Sequence, residues 1–79
     1  MYKILICDDQ KIVCEGLHTI LNADDELQVV GVAHNGNQAL DLIPANYPDL
    51  VLMDLKMPEL NGVLATRKIK ELYPDIYVL

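Results

Sequence analysis

Short apolar runs alternate with amphipathic stretches along the chain. Three runs are almost continuously apolar, YKILIC at 2–7, LQVVGVA at 27–33 and LVLM at 50–53, and a fourth begins at 76–79. Continuous apolar runs of this length are typical of strands that are buried on both faces of a parallel sheet. The pattern therefore predicts four strands at these positions.

The stretches between the runs have the spacing of helices. The first predicted helix spans 11–22, and its apolar positions should face the core: Val13, Leu17, Ile20 and Leu21. The second spans 37–43 and should end there, because Pro44 has no N–H to donate and Pro48 follows. The third should stop at Pro74. Its apolar positions are Leu64, Ala65, Ile69 and Leu72.

Strands that alternate with helices predict a single α/β domain with a parallel sheet and right-handed crossovers. If the second and third strands lie on opposite sides of the first, the first helix covers one face of the sheet. The next two helices then cover the other face. The first and third strands become neighbours where the strand order reverses, and open parallel sheets bind ligands there, at the carboxyl ends of the strands.

Three aspartates stand directly after two of the predicted strands. Asp8 and Asp9 follow the first strand, and Asp54 follows the third. Because the carboxyl ends of neighbouring parallel strands meet at one edge of the sheet, we expect the three carboxylates to share a pocket. Like charges this close repel each other, so the cluster needs a cation or a bound proton. Such a site is more often functional than structural.

A hard divalent cation suits this arrangement. Mg²⁺ (or Mn²⁺) prefers oxygen ligands and retains waters, so two carboxylates, a backbone carbonyl and waters would suffice. The carbonyl of Lys56, in the turn after Asp54, is the candidate backbone ligand. A carboxylate beside such a metal can attack phosphorus and form an aspartyl phosphate.

Structural explanations compete for several of these residues. Aspartate is a good N-cap, so one of the first two aspartates could simply begin the first helix. Pro58 and Gly62 would shape the loop before the third helix, although proline and glycine mark most loops. His18 and His34 have no second ligand at a metal spacing, and we interpret them as surface or hydrogen-bonded histidines.

Composition limits the cellular compartment and the kinds of partner that the chain is expected to have. A net charge of −6 argues against nonspecific binding of nucleic acid or of an anionic membrane by this segment. No apolar run reaches the roughly 18 residues of a membrane span. We expect Cys7 and Cys14 to be reduced residues of the core, because two cysteines do not make a disulfide framework. Together these features predict a cytoplasmic protein.

The stretches that carry these inferences are ILICDDQ, VVGVAHNGNQALDL, PDLVLMDLKMP and PELNG. Over its whole length the chain resembles the receiver domain of response regulators in bacterial two-component systems. DDQKIVCEGLHTIL and DLVLMDLKMPELNGVLAT look like the subfamily with a LuxR-type helix-turn-helix output domain. The resemblance implies a flavodoxin-like sheet with strand order 2-1-3-4 and a DNA-binding parent protein that regulates transcription.

The resemblance also implies a role for each site residue. Asp54 would be the phosphoacceptor and would receive a phosphoryl group from a sensor histidine kinase. Asp9 would bind Mg²⁺ directly, Asp8 through a water, and Lys56 through its backbone carbonyl. The chain would then be a signalling module and not an enzyme.

A whole receiver would continue past Leu79. The resemblance places a Ser or Thr, a fifth strand that ends in a Lys, and two further helices beyond that position. Residues 1–79 would then be a partial receiver that keeps affinity for a divalent cation but is phosphorylated poorly. The strand edge at 76–79 and the uncovered sheet faces would favour a homodimer.

Two other functions stay open on the sequence. One is a structural assembly or dimerisation fragment without phosphotransfer. The other is an aspartyl-phosphate phosphatase, which also places a nucleophilic aspartate after an apolar strand but has a second acid two residues later. Lys56 occupies that position here and disfavours the phosphatase.

Overall fold

The computed structural model describes residues 1–55 and 61–79 of the chain. Strands and helices alternate through these residues, and their bounds are β1 Tyr2–Cys7, α1 Lys11–Asn22, β2 Leu27–Ala33, α2 Gly36–Asn46, β3 Leu50–Met53, α3 Gly62–Leu72 and β4 Tyr77–Val78. The first three strands and the first helix have the bounds that the sequence pattern predicts. β4 is one residue shorter than predicted at each end.

The four strands form one parallel sheet in the order β2-β1-β3-β4. This order confirms the predicted topology and makes β1 and β3 neighbours. Cys7 at the end of β1 pairs with Met53 at the end of β3 and with Ala33 at the end of β2. All three of these strands therefore end at the same edge of the sheet.

Two apolar cores lie on opposite faces of the sheet, as the predicted placement of the helices requires. The core under α1 contains Ile4, Ile6 and Cys14. The larger core under α2 and α3 is built from buried side chains of β1, β2, β3, both helices and the segment before β4, which are Leu5, Cys7, Ala33, Ala39, Ile43, Val51, Met53, Ala65, Ile69 and Ile76. With both faces of its middle residues covered, β1 is the most buried strand.

The buried face of α1 differs from the predicted one. Cys14 is buried, and Leu17 and Leu21 pack against the core, whereas Val13 is 36% exposed and Ile20 is 69% exposed. Positions 14, 17 and 21 follow the three- and four-residue spacing of one helix face. The prediction was wrong at Val13 and Ile20 because these positions fit a helical spacing but lie off the face that Cys14, Leu17 and Leu21 share.

The end of α2 was also predicted wrongly, since the helix continues through Pro44 to Asn46. A proline in the last turn removes only the one N–H that would bond the carbonyl of Leu40. The loss of helix stability is therefore smaller than for a proline in the centre of a helix. Tyr47 ends the helix in the left-handed conformation, with φ at 32°, and its N–H donates to the Ile43 carbonyl over 2.7 Å. The turn after Pro44 is thereby closed.

Candidate functional site

Backbone hydrogen bonds fix Asp8 and Asp54 just beyond the ends of β1 and β3. The N–H of Asp54 donates to the carbonyl of Cys7 over 2.9 Å, and the N–H of Asp8 donates to the carbonyl of Ala33 over 3.0 Å. Both bonds continue the ladder of the sheet by one residue. The two aspartates are thus placed by the register of three strands rather than by a loose loop.

The structure brings the three predicted aspartates together. Carboxylate oxygens of Asp8, Asp9 and Asp54 lie within 4.8 Å of one another; Asp8 and Asp54 are half-buried and Asp9 is exposed. Two unit charges at that distance repel by about 1 kcal/mol in water and by roughly 3.5 kcal/mol at an effective dielectric constant of 20. Three carboxylates held this close create a region of negative potential that attracts a cation.

The donor set fits Mg²⁺. It consists of oxygens only, it is partly open to solvent, and its spacing allows some oxygens to bind directly and others through retained waters. Asp8 and Asp54 also line a cavity of about 280 Å³, whose other walls come from apolar residues such as Leu17 and Leu52. The cavity leaves room for a small group beside the Asp54 carboxylate.

The start of α3 packs directly against the backbone of Asp54. A Cβ atom at position 62 would overlap the Asp54 carbonyl oxygen and the Cα of Leu55, so only glycine allows this approach. The Asn61 side chain begins the helix by accepting a hydrogen bond from the N–H of Leu64 over 3.0 Å. Lys56 and Pro58 lie outside the described residues, and their predicted roles stay predictions.

The alternative of a helix-capping role for the first aspartate pair is not what the structure shows. The N-cap of α1 is Gln10, and its side chain makes no capping hydrogen bond. Asp8 instead accepts the N–H of Gln10 on its Oδ1 over 2.9 Å, in a turn that precedes the helix. The aspartate pair is therefore part of the loop at the sheet edge.

Two buried thiols lie beneath the acidic cluster. Burial, followed by the nearby charge of Asp8, raises the pKa of the Cys7 thiol to about 12, and burial likewise raises the pKa of Cys14. The folded pKa of Cys7 lies above its ordinary value of 9.0. Ionisation of this thiol therefore opposes folding only as the pH rises above about 9, so both thiols are protonated core groups near neutral pH.

Sequence reasoning missed one contact at this edge. His34, interpreted above as a surface or hydrogen-bonded histidine, places its Nδ1 3.1 Å from the carbonyl oxygen of Asp8. The Sγ of Cys14 lies 3.4 Å from the same oxygen. One signal was available, because His34 directly follows β2 and so belongs to the edge where β1 also ends.

Known proteins resemble this chain over its whole length. The family described as "Response regulator receiver domain" matches residues 4–79. Transcriptional regulatory protein LnrK of Bacillus subtilis is 46% identical over 79 residues, which are 100% of this chain and 36% of LnrK. A protein-glutamate methylesterase/protein-glutamine glutaminase of Geobacter metallireducens is 43% identical, over 94% of this chain and 21% of that protein.

A solved structure shows the same fold. The LuxR-family two-component response regulator from Aurantimonas sp. SI85-9A1 superposes with a TM-score of 0.92 at 31% identity, over 99% of this chain and 56% of that one. The chain spans about a third of the length of the transcriptional regulators it matches. Among the described residues, every helix is too short or too polar to cross a membrane. The chain belongs to the response regulator receiver domain family.

Proposed function

We propose that this chain is the phosphoacceptor module of a two-component response regulator and that Asp54 accepts the phosphoryl group. The observation that carries the proposal is the cluster of Asp8, Asp9 and Asp54 within 4.8 Å at the carboxyl ends of β1 and β3. The donor would be a phosphohistidine of a sensor kinase. The relatives named transcriptional regulatory proteins support a parent protein of that class.

The transfer follows from the position of the Asp54 carboxylate. One of its oxygens attacks phosphorus and forms a new P–O bond, while the P–N bond to the donor histidine breaks. The leaving imidazole nitrogen keeps the bonding electron pair, and the product is a mixed anhydride of carboxylate and phosphate. The hydrogen bond from the Asp54 N–H to Cys7 holds the backbone of the nucleophile in place.

Mg²⁺ would be held by Asp9 directly, by Asp8 through water and by Asp54, with the Lys56 carbonyl as a further ligand. When bound, the ion neutralises charge on the phosphoryl oxygens during transfer. Without it, the three carboxylates would repel an anionic donor. The family resemblance assigns the first aspartate pair to cation binding and Asp54 to phosphorus chemistry.

We also propose that the chain self-associates through the sheet face beside β4. Tyr77 and Leu79 there are 74% and 79% exposed, and they line an apolar cavity of about 390 Å³ with Ile4 and Leu50.

The phosphoacceptor proposal is tested by intact mass after incubation with a small phosphodonor and Mg²⁺. The chain should gain one phosphoryl group, and Asp54→Asn should gain none. Asp25→Asn is the matched control, since Asp25 is an exposed carboxylate in the turn between α1 and β2. Phosphorylation that persists in Asp54→Asn would place the acceptor elsewhere.

A further inference from the structure

The carbonyl oxygen of Asp8 is a meeting point for side chains from two other elements. His34, just after β2, places Nδ1 at 3.1 Å, and Cys14, on α1, places Sγ at 3.4 Å. The Sγ of Cys14 and the Nδ1 of His34 are themselves 4.0 Å apart, at the limit of a hydrogen bond to sulfur. A peptide carbonyl has two lone pairs, and both are used here.

The acceptor defines the form of the imidazole. A carbonyl oxygen can only accept a hydrogen bond, so a bond to it requires the proton on Nδ1 of His34, and in the neutral ring Nε2 then carries none. The ring is also one wall of a cavity of about 500 Å³ between α1 and β2, which contains none of the three aspartates. The His34 ring therefore contacts the backbone carbonyl of Asp8 and does not line the pocket of the carboxylates.

His34 is itself held in position. The backbone N–H of His34 donates to Oε1 of Gln38 over 2.8 Å, and the residue is half-buried. His34 therefore contacts the Asp8 carbonyl from a position just after β2 where its own backbone is hydrogen-bonded. The Asp8 N–H is bonded to Ala33 and its Oδ1 to Gln10, whereas the carbonyl of the peptide that leads into Asp9 is contacted by His34 and Cys14.

We propose that His34 is a positioning residue of the cation site, and that it orients the Asp8–Asp9 loop by donating its Nδ1–H to the Asp8 carbonyl. This inference rests on the proposed function, because Asp9 is there the direct ligand. A residue that orients a ligand changes cation affinity without touching the cation, in the manner of a hydrogen-bond partner to a ligating side chain. Cys14 is a weaker second donor to the same oxygen, since a thiol is a poor donor.

The inference is tested first by the tautomer of His34. Nitrogen-15 correlation spectra of the labelled chain, at a pH where its imidazoles are neutral, should show a protonated Nδ1 and a bare Nε2 for His34. His18, exposed on α1 with its ring near Asn22, is the internal reference. A proton on Nε2 of His34 would contradict the proposed hydrogen bond.

The second test is the affinity for Mg²⁺, measured by calorimetry on the folded chain and its variants. His34→Ala should bind Mg²⁺ about tenfold more weakly. His34→Asn should restore the affinity to within about threefold, because its Nδ2 lies two bonds beyond Cβ, as Nδ1 of histidine does. His18→Ala is the matched control and should bind like the unsubstituted chain.

The outcomes separate the inference from the proposed function. If the unsubstituted chain binds Mg²⁺ and both His34 variants, folded by circular dichroism, bind it equally well, His34 has no positioning role and only the inference fails. If the unsubstituted chain itself binds no Mg²⁺, the proposed cation site and the inference fail together. Loss in His34→Ala with rescue in His34→Asn supports both.

Discussion

At the scale of single residues, the three carboxylates of the site lie close together but differ in their burial and in their hydrogen bonds. Asp8 is bonded to backbone groups through its N–H and its Oδ1, and its carbonyl oxygen contacts the side chain of His34. Asp9 is the exposed member of the cluster. An exposed carboxylate beside two half-buried ones is the natural first ligand for an ion that arrives from solvent and keeps part of its water.

This difference predicts the effect of neutralising Asp9. Asp9→Asn should weaken Mg²⁺ binding by about tenfold or more, because the site loses a directly bound charge. Asp25→Asn removes an equally exposed carboxylate far from the cluster in sequence and should leave the affinity unchanged. Calorimetric titration of the three proteins measures both. Equal affinities in all three would show that Asp9 is not a ligand.

At the scale of elements, the acidic edge is built by strand ends and by the start of α3. The first three strands could be predicted to the residue because their apolar runs stop at polar or charged residues, such as Asp8 after β1 and Asp54 after β3. The end of α2 could not, because Pro44 stands in a last turn that Tyr47 closes. Sequence rules describe the hydrogen bond that Pro44 removes, but not the bond from Tyr47 to Ile43 that closes the turn after it.

Two glycines in helices predict opposite results from the same substitution. Gly62→Ala should lower the free energy of unfolding by about 1 to 3 kcal/mol, because its Cβ overlaps the Asp54 and Leu55 backbone. Gly16→Ala should raise it by about 0.5 to 1 kcal/mol, because Gly16 lies within α1 and no atom is within 4 Å of the added Cβ.

Urea denaturation of the two glycine variants and the unsubstituted chain provides the comparison. Gly62→Ala should also lose Mg²⁺ affinity, since the shift needed to relieve the overlap moves Asp54. A Gly62→Ala chain as stable as the unsubstituted one would contradict the close approach of α3 to the site.

At the scale of the whole molecule, strand–helix alternation predicts a parallel sheet, and the family resemblance implies the order β2-β1-β3-β4 that the structure has. The convergence of His34 and Cys14 on the Asp8 carbonyl does not follow from the sequence. It depends on how α1 and the end of β2 sit in space around one peptide group, and no periodicity in the chain reports that. Topology was predictable here, and the support of the loop was not.

The sheet face beside β4 predicts self-association. Molar mass measured by light scattering should rise with protein concentration above that of a monomer. Leu79→Lys places a charge on the exposed apolar edge and should shift the chain toward the monomer. Ile12→Lys is the control, because Ile12 is 78% exposed on α1. A chain that stays monomeric at all concentrations would contradict this proposal.

The most direct test of the central claim is the Mg²⁺ dependence of phosphoryl transfer to Asp54. Intact mass is followed over time with a small phosphodonor, in Mg²⁺ and in a chelator, for the unsubstituted chain and for Asp54→Asn. We predict addition of one phosphoryl group in Mg²⁺, with none in the chelator and none in Asp54→Asn. No addition in Mg²⁺, or addition that persists in Asp54→Asn, would contradict the assignment of Asp54 as the phosphoacceptor.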